Sequence, residues 1–141
     1  MPVLKDEDRE EVRRQLMGLA SLVRLVMFTQ DFECDFCAET RELVEEIASL
    51  SDEVDAVIYD FAADKEKAED LGIDKIPAIA VVGEKDYGVR FYGIPSGYEF
   101  VSLIEAIKMV ASGQSELFDA TKEALAQLDE PVHLQVFVTP T

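Results

Sequence analysis

Cysteine is nearly absent from this chain: among 141 residues there are two, Cys34 and Cys37. A disulfide-stapled secreted scaffold needs more and wider pairs, because a short loop constrains the unfolded chain least. Positive charge is also scarce. Thirteen Lys+Arg face thirty Asp+Glu, giving a formal net charge of −17. Phosphate backbones and anionic lipids attract basic surfaces, so this balance argues against nucleic-acid and peripheral-membrane partners. No apolar run approaches the roughly 20 residues that cross a bilayer. The start, Met1-Pro-Val-Leu-Lys-Asp-Glu-Asp, turns acidic too soon for a signal-peptide core. These absences lead us to expect a soluble, intracellular chain. Asparagine is missing and 30% of residues are charged, a profile compatible with a thermophile. The glycines Gly83, Gly88, Gly93 and Gly97 are followed by no Gly-Lys-Ser/Thr, so they form no phosphate loop. Asp60 and Asp64 lack the glycine and closing glutamate of a calcium hand.

What is present is core material, 48% hydrophobic residues, enough for one compact domain. Asp6 to Leu19 carries Val12, Leu16 and Leu19 at helical spacing, with acids first and Arg13-Arg14 later, as the helix dipole favours. Val23 to Thr29 reads as a buried strand. The cysteine pair opens a helix through about Ser49, with Leu43, Val44, Ile47 and Leu50 inward. A strand over Glu53 to Phe61, a short helix from Asp64 to Leu71 ended by Gly72, and strands at Ala78–Val82 and Val89–Tyr92 follow. A helix from Tyr98 to about Ala111 closes the pattern. The first strands, separated by helices, should run parallel and the last two form a hairpin. This is an α/β arrangement: a four-stranded mixed sheet with flanking helices. Beyond Ser112, Leu117 to Leu128 reads as one more helix and Val132 to Val138 as one more strand. We expect residues 1–112 to form one unit, and 113–141 a linker helix with a terminal strand. Met17, Met27 and Met109 read as core fillers, and Tyr87, Phe91, Tyr92 and Tyr98 as hairpin packing.

Cys34 and Cys37 stand three apart at a strand-to-helix junction, near enough for a disulfide. Unsatisfied N–H groups and the dipole at a helix start favour a thiolate, which makes Cys34 the expected nucleophile and Cys37 its resolving partner. Such a pair also suits half of a zinc site bridging two chains, or two plain buried thiols. Zinc takes four ligands, and the one histidine, His133, lies far off in the terminal strand.

Ile76-Pro77 stands directly before a strand. Strand, CxxC, helix, strand, helix, Ile-Pro, strand, strand, helix resembles the thioredoxin-fold order. In that family the matching X-Pro bond is cis and packs beside the cysteines. The resemblance implies a cis Pro77 in a substrate groove, with the Ile76 backbone left to pair with an extended substrate. Gly88-Val-Arg-Phe-Tyr-Gly-Ile-Pro-Ser-Gly-Tyr-Glu-Phe100, Ala120-Thr-Lys-Glu-Ala and Val136-Phe-Val-Thr-Pro-Thr141 narrow it further. They are similar to segments of the glutaredoxin-like protein disulfide oxidoreductases of hyperthermophiles, built from two thioredoxin-fold units, each with a CxxC. The resemblance covers the amino-terminal unit and implies a fragment, or a member truncated before the second CxxC. It further implies exchange with protein disulfide substrates through Cys34 and Cys37, without metal or organic cofactor. Electrons would come from a flavoprotein of the thioredoxin-reductase type. An electron-relay domain for a peroxiredoxin reductase and a redox-silent interaction module are the rival readings. A terminal strand left alone should fold back on its unit or pair with its counterpart in a homodimer, the bland alternative being a frayed tail from about Asp129.

Two departures stand out. Between the cysteines lie Asp35-Phe36, where thioredoxins carry Gly-Pro and many glutaredoxins Pro-Tyr. Phe28 stands where thioredoxins keep a buried aspartate. Asp31, Glu33, Asp35 and Glu39 surround the motif. They either oppose a thiolate or cap and pair with the helix end.

Overall fold

The computed structural model describes residues 3–139, so the Met1–Pro2 start and the Pro140–Thr141 end of the expected segments lie outside the described residues. The elements run α1 (Asp6–Gln15), β1 (Val23–Thr29), α2 (Cys37–Ser49), β2 (Val54–Asp60), α3 (Lys65–Asp70), β3 (Ala78–Val82), β4 (Val89–Tyr92), α4 (Tyr98–Ser112) and α5 (Asp119–Ala126). The sheet has four strands in the order β2-β1-β3-β4. β1 pairs parallel with β2 and antiparallel with β3, and β3 pairs antiparallel with β4. This is the expected thioredoxin-type mixed sheet with helices on both faces.

Period-two alternation along β1 explains the two layers. Val23, Leu25 and Met27 point into the larger core, with Val12 and Leu16 of the α1 region, Leu43, Val44 and Ile47 of α2, and Leu103 and Ile107 of α4. Val26 and Phe28 point the other way, onto Ala68 of α3 and Ile73. Phe28 is fully buried and its ring stands 5.5 Å from that of Tyr59. α1 is latched to α2 through Glu46, which is 9% exposed. Its carboxylate accepts from the backbone N–H of Val3 at 2.8 Å and of Leu4 at 3.1 Å, and from Arg9 Nη1 at 2.6 Å.

Four expectations need correction. The first helix stops at Gln15 rather than Leu19, because a turn with Gly18 at φ 71° ends it. Met17 is 75% exposed and Met109 40%; Met27 alone of the three is a core residue. α5 is shorter than expected and buries no residue. Val132 to Val138 forms no strand and does not fold back on the sheet: Leu134, Val136 and Phe137 are each more than 80% exposed. A strand needs a neighbour to satisfy its backbone groups, and none of the four sheet strands pairs with this segment. Among the described residues, no helix is long and apolar enough to cross a membrane.

Candidate active site

β1 ends at Thr29 and delivers the chain into a turn at the head of the sheet. Gln30 Nε2 donates to the Phe32 carbonyl at 2.7 Å. Glu33 then takes a positive φ of 50°, the one non-glycine residue among those described to do so. Cys34 follows, half-buried and outside the helix, and α2 begins at Cys37, which is 1% exposed. The pair is therefore not within one helical turn, as its spacing suggested. Cys34 sits just ahead of the helix and Cys37 at its first residue. The two are joined as a disulfide, with Cα atoms 5.5 Å apart. The N-terminus of α2 is fixed by Thr40, fully buried, whose hydroxyl donates to the Phe36 carbonyl at 2.6 Å and whose N–H donates to the same oxygen at 3.0 Å.

The capping role considered for the nearby acids is not realised. Phe36 is the N-cap of α2 and no side chain caps it; Glu39 lies in the first turn, where its charge suits the dipole. Asp31, Glu33 and Asp35 remain exposed around Cys34.

The Ile76–Pro77 bond is cis. The strand register places it at the same end of the sheet as the disulfide: Ala78 pairs with Phe28 and with Tyr92, so Pro77 lies beside the exit of β1 toward the cysteines. The Pro77 carbonyl accepts from the Gly93 N–H at 2.9 Å, whereas the Ile76 backbone makes no hydrogen bond within the described residues. Lys75 beside it pairs with Asp74 at 2.9 Å and holds its ammonium 5.4 Å from the Tyr92 ring centre. The carboxylate keeps the Lys75 amine above its ordinary pKa, and the ammonium holds the Asp74 carboxyl below its own.

The sequence assigned no role to two aromatic residues of this region. Phe32 and Phe36 are 63% and 55% exposed, an aromatic on each side of Cys34. The signal was there: once Cys37 faces the core, Phe36 next to it must face out. His133 is exposed and far from the pair in sequence, and no cluster able to hold a metal occurs among the described residues. Tyr98, expected to pack on the hairpin, is 71% exposed.

No family model matches the chain. A probable thioredoxin of Methanothermobacter marburgensis is 37% identical over 87 residues, 61% of this chain and 93% of that protein. A protein disulfide oxidoreductase from Aeropyrum pernix has the same fold, with a TM-score of 0.77 and 28% identity over 88% of this chain and 55% of its own. An alkylhydroperoxide reductase of Enterococcus faecalis matches with a TM-score of 0.77 and 25% identity, over 89% of this chain and 61% of its own. The chain also spans 24% of the length of a curated relative that it matches over 134 residues at 28% identity.

Proposed function

The chain belongs to the thioredoxin family, and on that footing we propose that it exchanges disulfides with protein substrates through Cys34 and Cys37. One observation carries the reading: a CxxC pair held as a disulfide at the start of α2, one cysteine half-buried and the other enclosed. In the dithiol form the Cys34 thiolate attacks a substrate disulfide, joining one substrate sulfur and releasing the other as a thiolate. Cys37, losing its proton to solvent, then attacks Cys34 Sγ and frees the second substrate sulfur. The substrate gains two electrons and the Cys34–Cys37 disulfide is restored. Ile76 and Pro77 form the docking edge, where the unpaired Ile76 backbone suits an extended peptide. The exchange itself needs no metal or organic cofactor. A flavoprotein of the thioredoxin-reductase type serves as electron donor, and the cytoplasm is the site of action.

Residues 113–141 are proposed as a linker helix and the opening of a second unit. The exposed Leu117, Phe118, Leu125 and Leu128 around α5 support this, as does the greater length of the Aeropyrum pernix relative. A second copy of the chain is the alternative cover, giving a homodimer. One observation favours a second functional reading, an electron relay to a peroxide reductase: the match to the alkylhydroperoxide reductase of Enterococcus faecalis.

Insulin reduction driven by dithiothreitol tests the main reading. Catalytic amounts of protein should speed precipitation of the insulin B chain well above the dithiothreitol background, and Cys34→Ser should abolish the gain. A rate equal to background leaves the module redox-silent toward proteins and sinks the proposal.

A further inference from the structure

Beside Cys34, α2 and the turn after β1 enclose a cleft of about 420 Å³. Cys34 and Ala38 form part of its wall, and its charged lining is Asp31, Glu42, Glu45 and Arg41. Arg41 is already committed, because its Nε donates to Glu45 Oε1 at 2.9 Å. Arg41 is the one cation of the lining, and its pairing with Glu45 leaves Asp31 and Glu42 without a cation there. Glu33 and Asp35 add charge on either side of Cys34 in the chain, and both are exposed. On the proline side the cation, Lys75, is likewise held by Asp74. Among the described residues, the cations near the disulfide are paired and the anions outnumber them.

A substrate disulfide must bring its sulfur to Cys34 through this field. Carboxylates lining a concave surface focus their potential into it, raising the local concentration of cations and lowering that of anions. Exchange passes through a state in which negative charge is spread over the attacking, central and leaving sulfurs, so a positive charge carried on the substrate is also favoured at the moment of reaction.

We propose that the Cys34 site selects disulfides carried on positively charged segments and discriminates against anionic ones, with Asp31 and Glu42 as specificity-determining residues. The proposal rests on the thiol–disulfide reading above and adds the substrate class to it. The sulfur chemistry is the two-step exchange already written; the charge of the substrate alters only its rate of encounter and reaction.

Three small disulfides of the same chemistry separate charge from everything else: cystamine as dication, bis(2-hydroxyethyl) disulfide as neutral reference, and glutathione disulfide as anion. The pre-reduced full chain reacts with each, and loss of protein thiol is followed by stopped flow. Each rate is divided by that of dithiothreitol with the same disulfide, which removes intrinsic reactivity. At about 20 mM salt the normalised rate for cystamine should exceed that for glutathione disulfide by about tenfold or more. At about 500 mM salt, where the screening length falls to a few ångströms, the two should converge. Asp31→Asn with Glu42→Gln should cut the low-salt ratio about threefold, whereas Asp52→Asn with Asp55→Asn, at the far end of the sheet, should leave it unchanged. Equal normalised rates at low salt overturn the proposal. So does a ratio that falls equally in both double variants, since the selectivity would then belong to the net charge and not to the cleft. Failure to react with all three disulfides, the neutral one included, overturns the exchange reading itself.

Discussion

Glu33 is the residue at which the chain departs from ordinary backbone geometry, and it does so one position before Cys34. At φ 50° its Cβ crowds the backbone, a cost of about 1 kcal/mol that glycine avoids. Glu33→Gly should raise stability by about 0.5 kcal/mol once the greater freedom of glycine in the unfolded chain is deducted. Urea unfolding of the disulfide form measures it, and a loss of stability instead would mean that the Glu33 side chain holds the turn. Phe28 shows how one residue limits what a sequence reveals. Its burial was legible from the strand pattern, and the resemblance to thioredoxins marked it as standing where they keep an aspartate. Its contact with Tyr59 was not legible, because pairing β1 with β2 brings together residues far apart in the chain.

At the scale of elements, the β3–β4 hairpin borders Pro77 and one ion pair ties it down. Arg90 on β4 pairs with Asp86 at 2.6 Å and donates through Nε and Nη2 to the Leu71 carbonyl at 3.1 and 3.0 Å. The guanidinium hydrogen bond holds the Asp86 carboxyl below its ordinary value of 3.8. A depressed folded pKa adds stability that is present above the unfolded value and lost as pH falls through the folded one. Asp86→Asn should therefore cost roughly 0.5–1 kcal/mol at neutral pH and flatten the decline in stability below about pH 4. Thermal unfolding across that range decides it; parallel curves for the two proteins would assign the acid loss to other carboxylates. The bounds of β1, β3 and β4 were legible because β-branched runs end there at polar or turn residues. The start of α2 was less so. Spacing puts two cysteines in one helical turn, whereas Asp35 and Phe36 form a turn and the helix starts only at Cys37. The strand expected at Val132 to Val138 had strand composition without a strand's partner, and composition alone satisfies no backbone group.

For the whole molecule, the charge of −17 and the uncovered carboxyl-terminal segment pull in opposite directions. Exposed Phe118, Leu134, Val136 and Phe137 favour association, while like charge opposes it until salt screens the repulsion. The homodimer proposal predicts, by sedimentation, that the full chain self-associates more strongly as salt rises and that a chain ending at Leu128 does not. Identical monomeric behaviour of both would remove the segment from any self-interface. The sheet, the disulfide and the cis proline edge serve one claim, that Cys34 attacks and Cys37 releases. Trapping tests it most directly. Reduced Cys37→Ser, mixed with insulin, should accumulate a disulfide-linked adduct through Cys34, seen by intact mass and reversed by dithiothreitol, while Cys34→Ser accumulates none. An adduct formed equally well through Cys37 in Cys34→Ser, or none with either variant, would contradict the account.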